Sequence, residues 1–349
     1  MRAIELQADQ TARVVTIERP TPRSGEVVVR VEASGVCGSD LTALRGIHPF
    51  RIPPLISGHE AGGEVVELGA NVTMVRTGDR VVIEPQVSCG VCATCLDGYY
   101  HLCPEKVMLG IAAWPGSFAE YVCVPESTLH LVGPEVTGEL LAIVEPLAVA
   151  AHSVRQAGDI RGSRVAVLGG GPIGSLIVHQ AAAAGAGSVT ATDPRVLNRE
   201  LCLALGATWA FDPLEDGWLD VARTSAGVFD VVFVAATAPQ IVDQAVAMVR
   251  PGGTVVQVAL FGTPITFAIS ALQMAERRLV GSNVYSGDDF RTAIAAIQRD
   301  PEVLGLIING RGGLEAGAEY LNSKVAGHDD EIVKFVILPH LPPREGTPE

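Results

Sequence analysis

A β-rich, barrel-like domain joined to a doubly wound α/β domain is the fold class that this 349-residue chain predicts. Three observations predict it. Short Val-dense runs bounded by Gly, Pro and Asp fill the first 150 residues. From Arg164 onward, apolar runs alternate with Ala-rich helical stretches. A glycine-rich turn joins the first of those runs to the first of those helices. The composition, 48% hydrophobic and 18% charged, is that of a folded globular protein, and the length suggests two domains.

In the first domain, Glu26–Val31, Gly63–Leu68, Arg80–Ile83, Phe118–Val124 and His130–Val132 read as strands. The pattern changes after His152. Arg164–Leu168, Ser188–Thr192, Phe229–Val234 and Thr254–Val258 read as buried parallel strands, with helices at Ile173–Ala184 and Val196–Leu205 between them. The series ends near Arg278–Ser282, and Asp288–Arg299 reads as one more helix. Leu304–Ile308 and Ile332–Leu338 are strand-like and would return to the first domain. That domain would then comprise 1–152 and 288–349, around an α/β domain at 153–287. The final LPPREGTPE reads as a mobile tail.

Several function classes are disfavoured. A net charge of −14 would repel a nucleic-acid backbone. No apolar stretch reaches the roughly 18 residues of a membrane span, so no membrane partner is expected. The opening MRAIELQADQTARV carries charged and polar residues where a secretory signal needs an apolar run, so a cytoplasmic location is expected.

Cys89, Cys92, Cys95 and Cys103 read C-x2-C-x2-C-x7-C, within a lobe at about 85–105. Four thiolates at this spacing suit one structural zinc: tetrahedral, all sulfur, with no open position. Two disulfides are the competing reading, disfavoured where thiols stay reduced. An iron–sulfur cluster is the other alternative. Cys123 and Cys202 have no metal-like neighbours in sequence and read as packing residues.

RVAVLGGGPIGSL places Gly169-x-Gly171-x-x-Gly174 between a strand and a helix. Gly169 would permit the tight turn, Gly171 a close approach to a pyrophosphate, and Gly174 close helix–sheet packing. Pro172 and Ile173 fill the positions between the last two glycines and open the helix, whose free N–H groups would face the phosphates. Asp193, 19 residues after Gly174, would take the adenosine ribose hydroxyls, which favours NAD over NADP. Arg195 would accept a 2′-phosphate or stand as a solvated helix-start charge.

Cys37, His59, Glu60 and Glu145 lie far apart, and each has an ordinary structural reading. Their setting changes that. GVCGSD, GHEAGGEVVELG, the cysteine lobe, GSFAEYV, VEPLAVAAH and VLGGGPIGSL occur in the order found in the zinc-dependent medium-chain dehydrogenases, which the chain resembles over essentially its whole length. The resemblance implies a GroES-like catalytic domain and a Rossmann domain with an active site in the cleft between them. It implies that Cys37 and His59 ligate a catalytic zinc and that Glu60 is a ligand or near-ligand. Glu145 stands where other alcohol dehydrogenases carry a cysteine ligand. A glutamate there looks like the polyol branch of sorbitol, xylitol, butanediol and threonine dehydrogenases.

Zinc accepts S, N and O ligands and leaves a position for a substrate oxygen. Asp40 is expected to accept from the second nitrogen of His59. Ser39 would relay the substrate proton. The relay histidine of other members is replaced by Thr42, and nearby His48 reads either as its substitute or as a loop histidine at the pocket rim. By resemblance, Trp114 and Phe118 would wall the substrate pocket, and Asn283 and Tyr285 would reach it. Arg45 and Arg51 would bind either an anionic substrate group or water. Two zinc ions and NAD per chain, a small alcohol or polyol substrate, and a homodimer or homotetramer are thus expected. A threonine-type amino-alcohol dehydrogenase, a zinc-free quinone or enone reductase, and an NAD-binding protein without catalysis are the alternatives. The intact ligand set argues against the last two.

Overall fold

Val27, Val28, Val29 and Val31 are fully buried along the Glu26–Gly35 strand, because β-branched residues suit a strand covered on both faces. This strand organises the first unit. The computed structural model describes residues 1–136, 138–328 and 331–342. Within it, the chain forms two compact units, Met1–Glu145 with Ala293–Glu349, and Pro146–Thr292. The changeovers fall inside the Val144–Gln156 and Gly287–Arg299 helices, several residues from the expected 152 and 288.

In the first unit, Glu26–Gly35 pairs antiparallel with Glu60–Leu68, with Tyr121–Pro125 and with Lys334–Ile337. Arg80–Ile83 and Leu129–Leu131 continue the sheet on one side, and Ile308–Gly312 on the other. A second sheet joins Ala12–Thr16, Arg2–Leu6 and Leu55–Ile56. Val27, Val29, Val31, Val65 and Ile83 gather in one core cluster; Ile4, Leu6, Leu44, Phe118 and Ile337 gather in another. Each fully buried side chain of this size stabilises the fold by about 1.5–3 kcal/mol.

Leu304–Ile308 is not a strand. Pro301 starts a short helix over Pro301–Gly305, and the strand begins only at Ile308. Proline suits the first turn of a helix, where its missing N–H has no partner to lose. The last seven residues of the expected tail lie outside the described residues.

The second unit is a six-stranded parallel sheet in the order Trp209–Phe211, Ser188–Thr192, Arg164–Leu168, Phe229–Val234, Val249–Gln257, Arg278–Gly281. This is a doubly wound order, with the reversal beside the first strand. Three strand ranges match the sequence reading residue for residue. The short Trp209–Phe211 strand and the Trp218–Ala226 and Ile241–Met248 helices had not been singled out.

Candidate metal centres and dinucleotide turn

The cysteine lobe folds around its sulfurs. A helical turn, Ala93–Leu96, carries Cys95, and a 3-10 turn at Tyr100–Leu102 delivers Cys103. The Sγ atoms lie 3.5 Å apart for Cys92–Cys95 and Cys103–Cys89, and 3.9 Å for Cys89–Cys95 and Cys92–Cys103. A disulfide needs about 2.05 Å. Four sulfurs held about 2.3 Å from one ion lie about 3.8 Å from each other. The spacings thus fit a shared zinc and not two disulfides. Backbone N–H groups support the anionic state: those of Val91 and Cys92 pull the Cys89 thiol down to about 6. Desolvation pushes its neighbour Cys95 up to about 11, so a metal would have to displace that proton. Tyr100 ties the lobe to the barrel by donating to Glu84 Oε1 at 2.6 Å, and His130 meets the other oxygen at 2.9 Å.

A second cluster assembles from distant segments. Cys37 caps the Gly38–Leu44 helix, while His59 and Glu60 stand at the start of the Glu60–Leu68 strand. The three ligand atoms lie within 4.8 Å of one another. Glu145, the expected fourth ligand, is outside this group. It is buried at the start of the Val144–Gln156 helix, and its charge acts on Lys334.

Lys334 was not anticipated. It is 2% exposed, ion-pairs with Glu60 Oε2 and donates to the Val36 carbonyl at 3.0 Å. Burial works against its charge, but Glu60 first, then Cys37 and Glu145, outweigh it and hold the ammonium above its ordinary pKa. No spacing in the sequence links a lysine near the C-terminus to a His-Glu pair. Only the pairing of Lys334–Ile337 beside Glu26–Gly35 brings it there.

Asp40 is fully buried. Its Oδ1 accepts from Ser57 Oγ at 2.5 Å and from Arg51 Nη1 at 3.2 Å, and its Oδ2 accepts from the Cys37 N–H at 2.9 Å. His59 Nδ1 is 3.6 Å from Oδ1, too long for the hydrogen bond expected. Arg51 Nη1 instead lies 2.7 Å from that ring nitrogen. Burial pushes the Asp40 carboxyl upward, but His59, Arg51 and Ser57 outweigh it and hold it well below the carboxylate range. Burial and Arg51 push the His59 ring down, and Asp40 outweighs both, taking it up to about 10. A protonated Nδ1 cannot accept from Arg51, so the 2.7 Å contact and that raised value belong to different protonation states. A ring that accepts from Arg51 at Nδ1 carries its proton on the other nitrogen, and ligation of a metal through that nitrogen would require the proton to shift.

Ser39 Oγ is buried without a hydrogen-bond partner among the described residues, a donor left for something else. Thr42 Oγ1 is spent on the Ser39 carbonyl at 2.9 Å. His48 Nδ1 accepts from the Arg51 N–H at 3.1 Å, and the ring sits edge-on to Phe50. It shapes this loop. Phe118 is fully buried in the core. Trp114 rests on the barrel core, donates to the Cys123 carbonyl at 2.9 Å and lines a cavity of about 280 Å³ with Tyr121 and Cys123. Tyr285 is fully buried against Phe290. Arg45 donates to the Lys324 carbonyl.

In the second unit, Gly169 has φ +102° and joins the Arg164–Leu168 strand to the Pro172–Ala183 helix. A Cβ on Gly174 would fall 1.7 Å from the Gly169 carbonyl oxygen. A Cβ on Gly171 would meet nothing within 4 Å. Gly174 therefore serves packing, and Gly171 leaves open space at the helix N-terminus, which fits a pyrophosphate. Pro172 and Ile173 form the first helical positions. Asp193 follows its strand and accepts from the Gly170 N–H and the Arg195 N–H, each at 2.9 Å. A carboxylate has lone pairs to spare for ribose hydroxyls after two such bonds. Arg195 caps the Val196–Ala204 helix. Arg199, not noticed in the sequence, donates to the Asp193 and Pro194 carbonyls and to Asp212, and so braces the turn.

Residues 23–134 match the alcohol dehydrogenase GroES-like domain, and residues 172–299 match zinc-binding dehydrogenase. An L-threonine 3-dehydrogenase of Caldanaerobacter subterraneus subsp. tengcongensis is 36% identical over 72% of this chain and 73% of its own length. A sorbitol dehydrogenase of Bacillus subtilis is 34% identical over 76% of this chain and 75% of its own. Among solved structures, a zinc-binding dehydrogenase of Sinorhizobium meliloti 1021 bound to NADP superposes with a TM-score of 0.87 at 30% identity, covering 97% of this chain and 99% of that one.

Proposed function

Because the chain belongs to the zinc-dependent medium-chain alcohol/polyol dehydrogenase family, we propose that it moves a hydride from the secondary alcohol of a polyol, sugar or diol to NAD, giving a ketone and NADH. That it is an oxidoreductase acting on CH–OH donors follows from the family itself. The observation that carries the finer reading is the convergence of Cys37, His59 and Glu60, with the unpartnered Ser39 hydroxyl two residues from Cys37.

When bound, zinc supplies a Lewis acid for the substrate hydroxyl, and the dinucleotide supplies the hydride acceptor. Cys37 and His59 would hold the metal, with Glu60 or Glu145 as the carboxylate. Lys334 ion-pairs with Glu60 and fixes one of its oxygens. Ser39 Oγ would take the hydroxyl proton and pass it outward. Cys89, Cys92, Cys95 and Cys103 would hold a second, structural zinc. Gly171 admits the pyrophosphate, and Asp193 takes the adenosine ribose, where its charge repels a 2′-phosphate.

All seven cysteines are free, in keeping with a reducing cytoplasm, and no helix among the described residues is long and apolar enough to cross a membrane. The Arg278–Gly281 strand edges the parallel sheet; pairing it with a second copy would cover its open hydrogen-bonding groups and give a dimer or tetramer.

The test is nicotinamide reduction across polyols, diols, sugar phosphates and L-threonine, with NAD and NADP in parallel. Turnover of a polyol or diol with NAD, abolished by a chelator and restored by zinc, is expected. Turnover of L-threonine alone would favour the amino-alcohol reading, which the Caldanaerobacter relative supports. Bound NAD with silence throughout would overturn the catalytic reading.

A further inference from the structure

The cysteine lobe has little apolar core of its own. Residues 88–100 are all exposed or half-buried, and Val91, Leu96 and Tyr99 are each more than half exposed. Its neck is a two-rung ladder, Gln86–Val87 against Val107–Met108, in a sheet of just these two strands. A two-stranded ribbon is marginally stable by itself in water. Burial of apolar surface thus contributes little to holding the lobe, and polar contacts carry more of that task.

Glu84 makes such contacts. It follows the Arg80–Ile83 strand, and its N–H donates to the Thr128 carbonyl at 2.7 Å. The side chain is buried, and its two oxygens divide between lobe and barrel. Oε1 accepts from Tyr100 Oη at 2.6 Å and from Gln86 Nε2 at 3.1 Å, and Oε2 accepts from His130 Nε2 at 2.9 Å. Burial pushes this carboxyl up, but His130, Tyr100 and Gln86 outweigh it and keep it below its ordinary value, so it stands as an acceptor only. His130 lies on the Leu129–Leu131 strand, paired with Arg80–Ile83, and so belongs to the barrel.

Tyr100 belongs to the lobe. It opens the 3-10 turn that ends at Cys103, whose N–H donates to the Tyr100 carbonyl at 3.0 Å. Buried His101 sits edge-on to the Tyr100 ring. Cys89, Cys92 and Cys95 are kept together by two-residue spacers, whereas Cys103 arrives across seven residues and depends on this turn. One carboxylate therefore stands between a barrel strand and the turn that delivers the fourth sulfur.

We propose that Glu84 is a positioning residue of the four-cysteine metal site: by fixing Tyr100 to the barrel it keeps Cys103 beside Cys89 and Cys92, and so sets how readily the lobe opens and releases its ion. This rests on the structural-zinc reading above.

The test is metal retention by the holoenzyme rather than turnover. Wild type, Glu84→Ala, Glu84→Gln and Tyr100→Phe are held with a fixed chelator and a thiol reagent, and labelling of each cysteine is timed by peptide mass spectrometry. Cys37 is the internal reference. Losing a hydrogen bond to a buried carboxylate shifts a local opening equilibrium by about tenfold. In Glu84→Ala the four lobe cysteines are expected to label about tenfold faster than in wild type, with Cys37 unchanged. Glu84→Gln keeps an amide oxygen for Tyr100 and should recover part of the protection. Should Glu84→Ala fail to fold, Tyr100→Phe removes only a hydroxyl and should show the same lobe-specific loss. Lobe thiols that label within about threefold of wild type in the folded variants, or that speed up only in step with Cys37, overturn the inference alone. Wild-type lobe thiols that label at once without chelator, with no zinc in the lobe, overturn the structural-zinc reading and this inference with it.

Discussion

Lys334 and Glu60, 274 positions apart, form an ion pair with both side chains 2% exposed, against the Cys37–His59 cluster. Each charge offsets the cost of burying the other, and Cys37 and Glu145 add to the support of Lys334. Removing one partner of such a pair costs about 3–5 kcal/mol, since it strands a buried charge. Lys334→Met should therefore lower stability by about that amount, read by urea unfolding. The double change with Glu60→Gln should recover much of the loss. No recovery would mean that the two side chains act independently.

Gly171 and Gly174 make opposite predictions within one motif. A Cβ at Gly174 meets the Gly169 carbonyl oxygen at 1.7 Å, so Gly174→Ala should disrupt the turn and lower the melting temperature sharply. A Cβ at Gly171 meets no atom of the described residues within 4 Å, so Gly171→Ala should leave melting unchanged and weaken NAD binding by about tenfold or more. Calorimetric binding and melting curves of both variants check this pair.

His152 and Asp289 form a buried contact at 2.8 Å, joined by Arg155 and by the N–H and hydroxyl of Ser286. Burial pushes Asp289 upward, but His152, Ser286 and Arg155 outweigh it and hold the carboxyl well below its ordinary value. A depressed folded value stabilises above the unfolded pKa of about 3.9, and that stabilisation is lost as pH falls below it. Asp289→Asn should thus cost about 1.5–3 kcal/mol at pH 7. The gap to wild type should narrow as pH drops below about 4, measured by urea unfolding across pH.

The thiols should separate into two groups. Burial, then Glu26, pushes Cys123 up to about 12, and burial, then Asp193, pushes Cys202 up to about 12. Both should resist alkylation at neutral pH in the native protein. Cys37 and the four lobe cysteines should react only after a chelator removes zinc. Peptide mapping by mass spectrometry after timed alkylation reads this. Early labelling of Cys202 in untreated protein would contradict it.

The barrel-like and doubly wound halves were legible from the chain because alternation and valine density are local. Three of the parallel strands were placed to the residue for that reason. The short Trp209–Phe211 strand was not, since three residues carry no period to read. Leu304–Ile308 misled because a short apolar run suits helix and strand equally.

By itself, the sequence determined the groups whose partners lie within a few residues. The cysteine spacing sets one turn of chain around one ion, and Gly169, Gly171 and Gly174 set a turn whose shape is their own backbone freedom. What joins the remote pieces was decided only in three dimensions. Strand pairing brings Lys334 to Glu60, and burial brings Arg51, a loop arginine, against Asp40 and His59. A buried charge is placed by whichever opposite charge the folded chain brings within reach, and that choice is made by the whole barrel rather than by neighbours in sequence.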